Sequence, residues 1–530
     1  MTIAALLAWG LIAVSSADEP HVVVDWVDPG AAIERVNRWC RTTRFAYPAA
    51  AMAAWKRAVG PLEASQRLPN KALDAAVTLF NPGMVEELRR LDGLRLELAP
   101  RPKEPGWTWR AIVPDEDGVL NAFVTANALT TPGVGPIAPD GIESNFNDLP
   151  PIERLSIEPL VLVTRRDGRL LLGPDTAALA KPVPTPAGMP AGSPPIDPGS
   201  LVVRLTPQRL NASASDDPDD NQSDPVWRLW NAFARTSGCR QVVVVASPTE
   251  TGTRLDLRAE GARLDLLTGA IRPEWVACVP SESAVAALTL GLNPTPQAWN
   301  DFFRLLDALD KTNPANRTAL PLRSRLATIA LVARANLERF VFPNLIGLTA
   351  WAGWDATPAK PARSRVVWTI ALHFPNAEAA GRAGEELLKL RGNLAGLLGG
   401  SGPTMGAAGS SWLIASDPVT WNRSREAVKA GGQRFDDPLW QAAREAGGDE
   451  APPTRLAWVS LDRLGDHAVS QRWVPDWLGE LPRPTSCAPL VWVGRTTPEG
   501  GQHDRLEWSG AVAWVEAIVS AIPNDVNREK

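Results

Sequence analysis

The sequence predicts an α+β protein made of two similar tandem lobes, each a mixed or antiparallel sheet with helices packed on it. Three observations predict this. Short apolar runs of period two alternate with longer segments whose apolar residues recur at helical spacing. Some runs are joined by tight-turn residues, as in Val163-Thr164-Arg165-Arg166-Asp167-Gly168-Arg169, where Asp-Gly favours a hairpin. The order of these units in the first half of the chain also recurs in the second.

The elements follow in order. Strands are predicted at 21–26, 107–113, 159–164, 169–173, 200–205, 240–246, 254–258, 286–291, 347–351, 366–373, 411–415, 455–460, 489–493 and 504–508. Helices are predicted at 31–40, 48–60, 71–80, 85–91, 225–235, 297–310, 322–337, 376–391, 436–445 and 511–522. In the helix over 297–310, Phe302, Leu305, Leu306 and Leu309 share one face. Asp28-Pro29, Asn293-Pro294 and Pro375-Asn376 each place a capping side chain or a helix-starting proline where a strand gives way to a helix. Hairpins together with strand–helix units point to α+β rather than a parallel α/β sheet.

The recurrence runs through six stretches. HVVVDWVDPGAAIERV (21–36) matches ALTLGLNPTPQAW (287–299), and WTWRAIVPDEDGVLNAFVTANAL (107–129) matches VVWTIALHFPNAEAAGRAGEELL (366–388). RLLLGPDTAALA (169–180) matches SSWLIASDPVTW (410–421), and SLVVRLTPQRL (200–210) matches TRLAWVSLDRL (454–464). TSGCRQVVVV (236–245) matches PTSCAPLVWV (484–493), so Cys239 and Cys487 each precede an apolar strand. TRLDLRAEGARLDLLTGAIRP (253–273) matches DRLEWSGAVAWVEAIVSAIP (504–523), both opening on Arg-Leu-acidic and closing on proline. The offset stays within a band of about 240–265 residues, as insertions in loops would allow. The expected organisation is a signal peptide over 1–17, a first lobe over 18–272 and a second over 273–530. The Pro-rich stretch 181–200 is a surface loop of the first lobe.

Composition bounds the function. The chain has 530 residues, 45% of them hydrophobic, enough for more than one core. A net charge of −5 with no block of Lys or Arg argues against nucleic acid as a partner. The 22 tryptophans beside the single Tyr47, with arginine favoured over lysine, read as codon bias of a GC-rich genome. Residues 3–14 are apolar, Ser15-Ser16-Ala17 offers small residues for cleavage, and Asp18 would begin the mature chain. The apolar run is shorter than the ~20 residues that span a bilayer. The expectation is an exported protein, periplasmic or extracellular, and not an integral membrane protein after cleavage. Cys40, Cys239, Cys278 and Cys487 are too scattered for a disulfide scaffold and leave their pairing open.

The signal segment, the strands ending in Asp/Asn-Pro, and the late motifs LLLGPDTAAL and WLIASDPVTW together resemble large secreted proteins of unknown function from planctomycete-type bacteria. That resemblance covers most of the mature chain. It implies no catalytic residue at any position here.

No assembled catalytic motif is present: no G-x-S-x-G, no S-x-x-K, no H-E-x-x-H. Ser416 beside Asp417 ends a strand, and His21, His373, His467 and His503 are the only histidines that a triad would draw on. Since Gly173 stands in the matching turn, Ser416-Asp417-Pro418 reads as a strand-to-helix hinge. GGSGPTMGAAGSS (399–411) lacks the Gly-Lys-Ser/Thr ending of a phosphate loop and leads into a strand. The acidic stretch 213–225 spaces oxygen ligands at Asp217, Asp219 and Asp224 as calcium prefers, without the glycine and glutamate of an EF-hand loop. Calcium is thus the one cofactor the residues suggest. Trp351 with Trp354, and Trp473 with Trp477, form pairs that would stack on sugar if exposed and serve as core if buried. The resulting expectation is an exported, non-catalytic binding or structural protein of the periplasm or cell envelope, meeting an envelope protein or a glycan. The alternative is a carboxylate-dependent, glycan-directed envelope hydrolase whose site is assembled only in the fold.

Overall fold

The computed structural model describes residues 22–39, 93–100, 107–114, 142–143, 152–155, 161–173, 196–206, 236–276, 278–280, 284–311, 320–354, 366–391, 403–430, 452–461, 487–497 and 501–521, with a few single positions besides. The signal segment, Cys40, most of the Pro-rich loop, the acidic stretch with Asp217, Asp219 and Asp224, and the pair Trp473/Trp477 lie outside the described residues.

Among the described residues, eighteen strands form one sheet. In the first half they are β1 (Val22–Val27), β2 (Gly93–Pro100), β3 (Trp107–Pro114), β4 (Ile142–Glu143), β5 (Ile152–Leu155), β6 (Val161–Arg166), β7 (Arg169–Gly173), β8 (Leu201–Leu205), β9 (Gln241–Pro248) and β10 (Thr253–Glu260). In the second they are β11 (Ala284–Gly291), β12 (Gly347–Trp354), β13 (Val366–His373), β14 (Thr404–Ala408), β15 (Ser411–Ala415), β16 (Arg455–Val459), β17 (Leu490–Thr496) and β18 (Gln502–Trp508). The described helices are α1 (Pro29–Arg38), α2 (Pro273–Val276), α3 (Pro296–Asp310), α4 (Leu322–Val332), α5 (Leu337–Phe340), α6 (Ala377–Lys389), α7 (Pro418–Ala430) and α8 (Ala511–Ala521). The class is α+β, as expected.

Every neighbouring pair of strands is antiparallel. The spatial order is β4-β5-β6-β7-β3-β2-β1-β8-β9-β10-β18-β17-β16-β11-β12-β13-β15-β14. The two halves meet only at β10–β18 in this ladder. Outward from that seam, the first half runs β10-β9-β8-β1-β2-β3-β7-β6 and the second β18-β17-β16-β11-β12-β13-β15-β14. Directly opposed residues share a face. One row of side chains therefore runs from Asp25 on β1 through Asp256 on β10 and Arg505 on β18 to Thr289 on β11. The face carrying this row is the first face; the other is the second.

Local chemistry explains the element ends. Asp167 (φ 52°) and Gly168 (φ 68°) make the β6–β7 turn, where two positive φ values match the strand twist. The Asp28 carboxylate accepts from the Ala31 N–H at 3.0 Å and Pro29 follows as the first helical residue of α1. Asn376 does the same for α6 through Ala379 at 2.9 Å. At α3 the cap falls two residues later than expected. Thr295, not Asn293, accepts from Ala298 at 3.2 Å, and Pro296 rather than Pro294 starts the helix. The expected helix over 322–337 is broken after Val332, where Arg334 takes a positive φ of 55°.

In the second half the sheet is covered on both faces. Leu348, Leu372, Trp412 and Ile414 on the second face pack with Ala298 of α3, Leu337 of α5, and Ala383 and Leu387 of α6. On the first face, Trp275 and Val276 of α2 join Trp351, Leu456 and Trp458, while Trp421 and Val428 of α7 pack on Ala371 and Leu413. The first half's second face carries Val22, Val24, Leu98, Val203 and Val242. Among the described residues no helix is long and apolar enough to cross a membrane.

Candidate functional site

Two places in the sheet are built around a buried group with displaced proton affinity: the seam around Asp256, and a buried column in the second half around His373. At the seam, first-face side chains of β10 and β18 surround Asp256, which is 3% exposed. Arg505 Nε donates to its Oδ1 at 2.7 Å, Arg254 Nε lies 3.0 Å from Oδ2, and His503 Nε2 stands 3.4 Å from Oδ1. Burial alone would raise the Asp256 carboxyl. His503, Arg505 and Arg254 outweigh it and hold the pKa at about 2. Arg254 also reaches Asp197 at 2.8 Å.

The second face of β18 and its neighbours β17 and β16 holds a separate network. Arg455 is 3% exposed; its Nε donates to Asp504 Oδ1 at 3.1 Å, its Nη2 to the Arg495 carbonyl at 3.0 Å, and its Nη1 to Gln502 Oε1. Trp492 Nε1 donates to the same Asp504 oxygen at 3.2 Å. Burial pushes the Asp504 carboxyl up despite these donors.

Away from the seam, the charged row continues across the first half. Arg110 Nη2 meets Glu97 Oε2 at 2.5 Å, Arg95 Nε meets Glu97 Oε1 at 2.9 Å, and Arg204 Nη1 meets Asp25 Oδ2 at 2.5 Å. Arg95 also lies 3.7 Å from Asp25. These ions neutralise one another in sequence, as buried charge requires.

Away from β18, the described strands of the second half carry hydroxyls and the His373 imidazole on this face. Thr289 Oγ1 contacts Thr349 Oγ1 at 3.2 Å, Thr349 Oγ1 contacts His373 Nε2 at 2.9 Å, and His373 Nδ1 contacts Ser411 Oγ at 2.8 Å. The Trp275 ring stacks on His373 at 4.8 Å between centroids and 4° between planes. Gly347 makes room for that stack, since a Cβ there would lie 2.4 Å from the Trp275 ring. His373 is fully buried, and burial lowers its pKa to about 3.

Ser411 and His373 have the spacing of a nucleophile and base. The histidine's far nitrogen meets a threonine hydroxyl, and the ring is sealed from solvent. The column therefore satisfies buried polar atoms. Asp256, held near 2, is too weak a base and always ionised at neutral pH, so it has no proton to give.

The expected site residues fall as follows. Ser416 is not brought to a histidine. Its Oγ donates to Asp417 Oδ2 at 2.7 Å and accepts from the Trp368 N–H at 3.3 Å. Asp417 accepts from the Thr420 N–H at 2.9 Å and the Thr420 hydroxyl at 2.7 Å, capping α7. Burial opposes ionisation of Asp417, but these donors lower its pKa. The hinge reading of Ser416-Asp417-Pro418 thus matches the local geometry. Trp351 and Trp354 are 3% and 8% exposed, and Trp351 sits in the first-face core. Sugar stacking needs an open ring face, so this pair takes the core role instead; burial of large apolar rings outweighs their display. The stretch 404–408, expected within a Gly-rich loop, is an edge strand.

Cys239, Cys278 and Cys487 are free thiols. Burial pushes Cys239 up to about 11 and Cys278 to about 12, so neither is a reactive thiolate. Among the described residues no group of three or more His, Cys, Asp or Glu is arranged to hold a metal ion. A cavity of about 220 Å³ lies between α3, α4 and α5, walled by Phe303, Leu326, Ala330 and Phe342, with the Arg323–Glu338 pair at 2.8 Å beside it.

Sequence reasoning missed Asp256, Arg455, Asp504 and the His373 column. The one local trace was the Arg-Leu-acidic opening shared by β10 and β18, which marks the seam. No family model matches the chain, and no curated protein or solved structure matches it.

Proposed function

We propose that the chain is an exported, non-catalytic binding or structural protein of the periplasm or cell envelope, built from two tandem copies of one α+β lobe. The observation that carries this reading is the strand order, repeated outward from the β10–β18 seam over eight strands on each side. It agrees with the order of the six matched sequence stretches. The described ionised groups support the non-catalytic part. Asp25, Glu97 and Asp256 each face arginine, and His373 is neutral and sealed. A general acid needs a raised pKa and access to substrate. Asp504 has the first, but Arg455 and Trp492 occupy its Oδ1. The partner in this reading is an envelope protein or a glycan. Export is supported by the apolar run 3–14 and the small residues before Asp18.

The test is twofold. N-terminal sequencing of material exported by a bacterial host should begin at Asp18; a retained Met1 would defeat the signal. Purified protein incubated with peptidoglycan should sediment with it or leave it unbound, and should release no reducing sugar. Release of sugar that is abolished by Asp504→Asn would install the hydrolase reading instead.

A further inference from the structure

We propose that the β10–β18 seam is an isologous interface: the last paired strand of one lobe docks on the same strand of a second copy of that lobe, here tethered within one chain. The inference rests on reading the halves as copies and goes beyond it, because copies need not meet through equivalent edges.

The register carries the argument. Leu255 lies opposite Leu506, Arg254 opposite Glu507, and Asp256 opposite Arg505. A two-fold axis normal to the sheet at the Leu255–Leu506 pair exchanges Arg254-Leu255-Asp256 with Arg505-Leu506-Glu507. Like lies on like at the axis, and each arginine faces the other strand's acid. That is the pattern of a self-complementary, two-fold contact. The charges also select this register. Sliding β18 by two residues would set Arg254 against Arg505, and like charges directly opposed are destabilising. Sliding by one would turn Leu255 and Leu506 to opposite faces. The copies have diverged around the axis, since Asp256 now takes both Arg254 and Arg505.

The two-fold makes a geometric demand. The chain passes from β10 to β11 through residues 261–283. The same axis maps that passage onto one from β18 to β1, so the two gaps are equal in span. Residues 509–530 followed by 18–21 are of closely similar length to 261–283 and would fill the second gap.

The experiment is a permuted chain that keeps all the strands of each half together: residues 265–530 followed directly by residues 18–264, compared with the parent 18–530. A second permutant carries about ten additional Gly/Ser residues at the new joint, which lengthens its reach. Circular dichroism melting and light scattering read folding and mass. The directly joined permutant should be monomeric and melt within a few degrees of the parent. If only the lengthened permutant folds, the gaps are unequal and the two-fold seam is overturned, while the lobes can still be copies. If neither folds, the seam is overturned as well. Failure of the copy reading itself would show separately, as two halves that do not superpose in an experimental structure.

Discussion

The same sheet face solves one problem in two ways. In the first half, β1, β2, β3 and β8 put Asp25, Arg95, Glu97, Arg110 and Arg204 on the first face as a chain of ion pairs. In the second half, the corresponding strands β11, β12 and β13 put Thr289, Thr349 and His373 there, linked to Ser411 of β15 and closed by Trp275. Both arrangements give each buried polar side chain a polar partner inside a sheet. They differ in what a single change does. Removing one ion strands another, whereas removing one hydroxyl leaves a neutral neighbour with other partners.

The largest expected effect tests that asymmetry. Glu97→Ala should cost about 3–5 kcal/mol, because it leaves Arg110 and Arg95 charged and largely buried without their carboxylate. Urea unfolding of the full chain measures it, and a cost below about 1 kcal/mol would mean the ladder is solvated. The triple change Glu97→Met with Arg110→Leu and Arg95→Leu should recover most of the loss.

The second effect separates the two regions by pH. His373 titrates at about 3 in the folded chain against an ordinary 6.5, so its neutral ring contributes stability that is whole above 6.5 and is lost as pH falls toward 3. Between pH 7 and pH 4 the loss should be about 3 kcal/mol. Asp256 is also lowered, from 3.8 to about 2, so its contribution is whole above 3.8 and is lost only as pH falls through 2. Acid should therefore loosen the second half before the seam. Hydrogen exchange at pH 4.5 should show β13 amides losing protection ahead of β10 amides, and His373→Gln should flatten the slope between pH 7 and pH 4.

Smaller effects sharpen the contrast. Thr289→Val should cost about 1 kcal/mol, since Thr349 keeps His373 and the Trp275 carbonyl at 3.3 Å. Asp417→Ala should likewise cost about 1 kcal/mol, chiefly through the lost cap of α7, with the Ser416 hydroxyl losing its acceptor as well. A catalytic Asp417 would instead show intact stability with a lost activity.

What was legible in the sequence was local. Strands 169–173, 366–373 and 411–415 match their predicted limits, because each is an apolar run closed by a turn or a cap. The Asp417 hinge was legible for the same reason. Strand β2 was missed because its first-face residues are Arg95 and Glu97, which read as surface until Arg110 and Asp25 are brought to them. Strand β14 was missed because Thr404-Met405-Gly406-Ala407-Ala408 has small residues inside a Gly-rich stretch. The column was missed because His373 meets Ser411 across a strand pair, while the eye pairs it with Ser416 at the strand's other end. Arg455 and Asp504 are a pair only through β17 between them. Long-range partners of charge leave no periodic signal in a chain.

The most direct test is an experimentally determined structure of residues 18–530, with each half superposed on the other strand by strand. A duplicated chain with a two-fold seam should place β6-β7-β3-β2-β1-β8-β9-β10 on β14-β15-β13-β12-β11-β16-β17-β18, put Leu255 on Leu506, and set these two leucines facing each other across the seam. A best superposition that matches the strands in any other order, or a seam in which Arg254 faces Arg505, would contradict that arrangement.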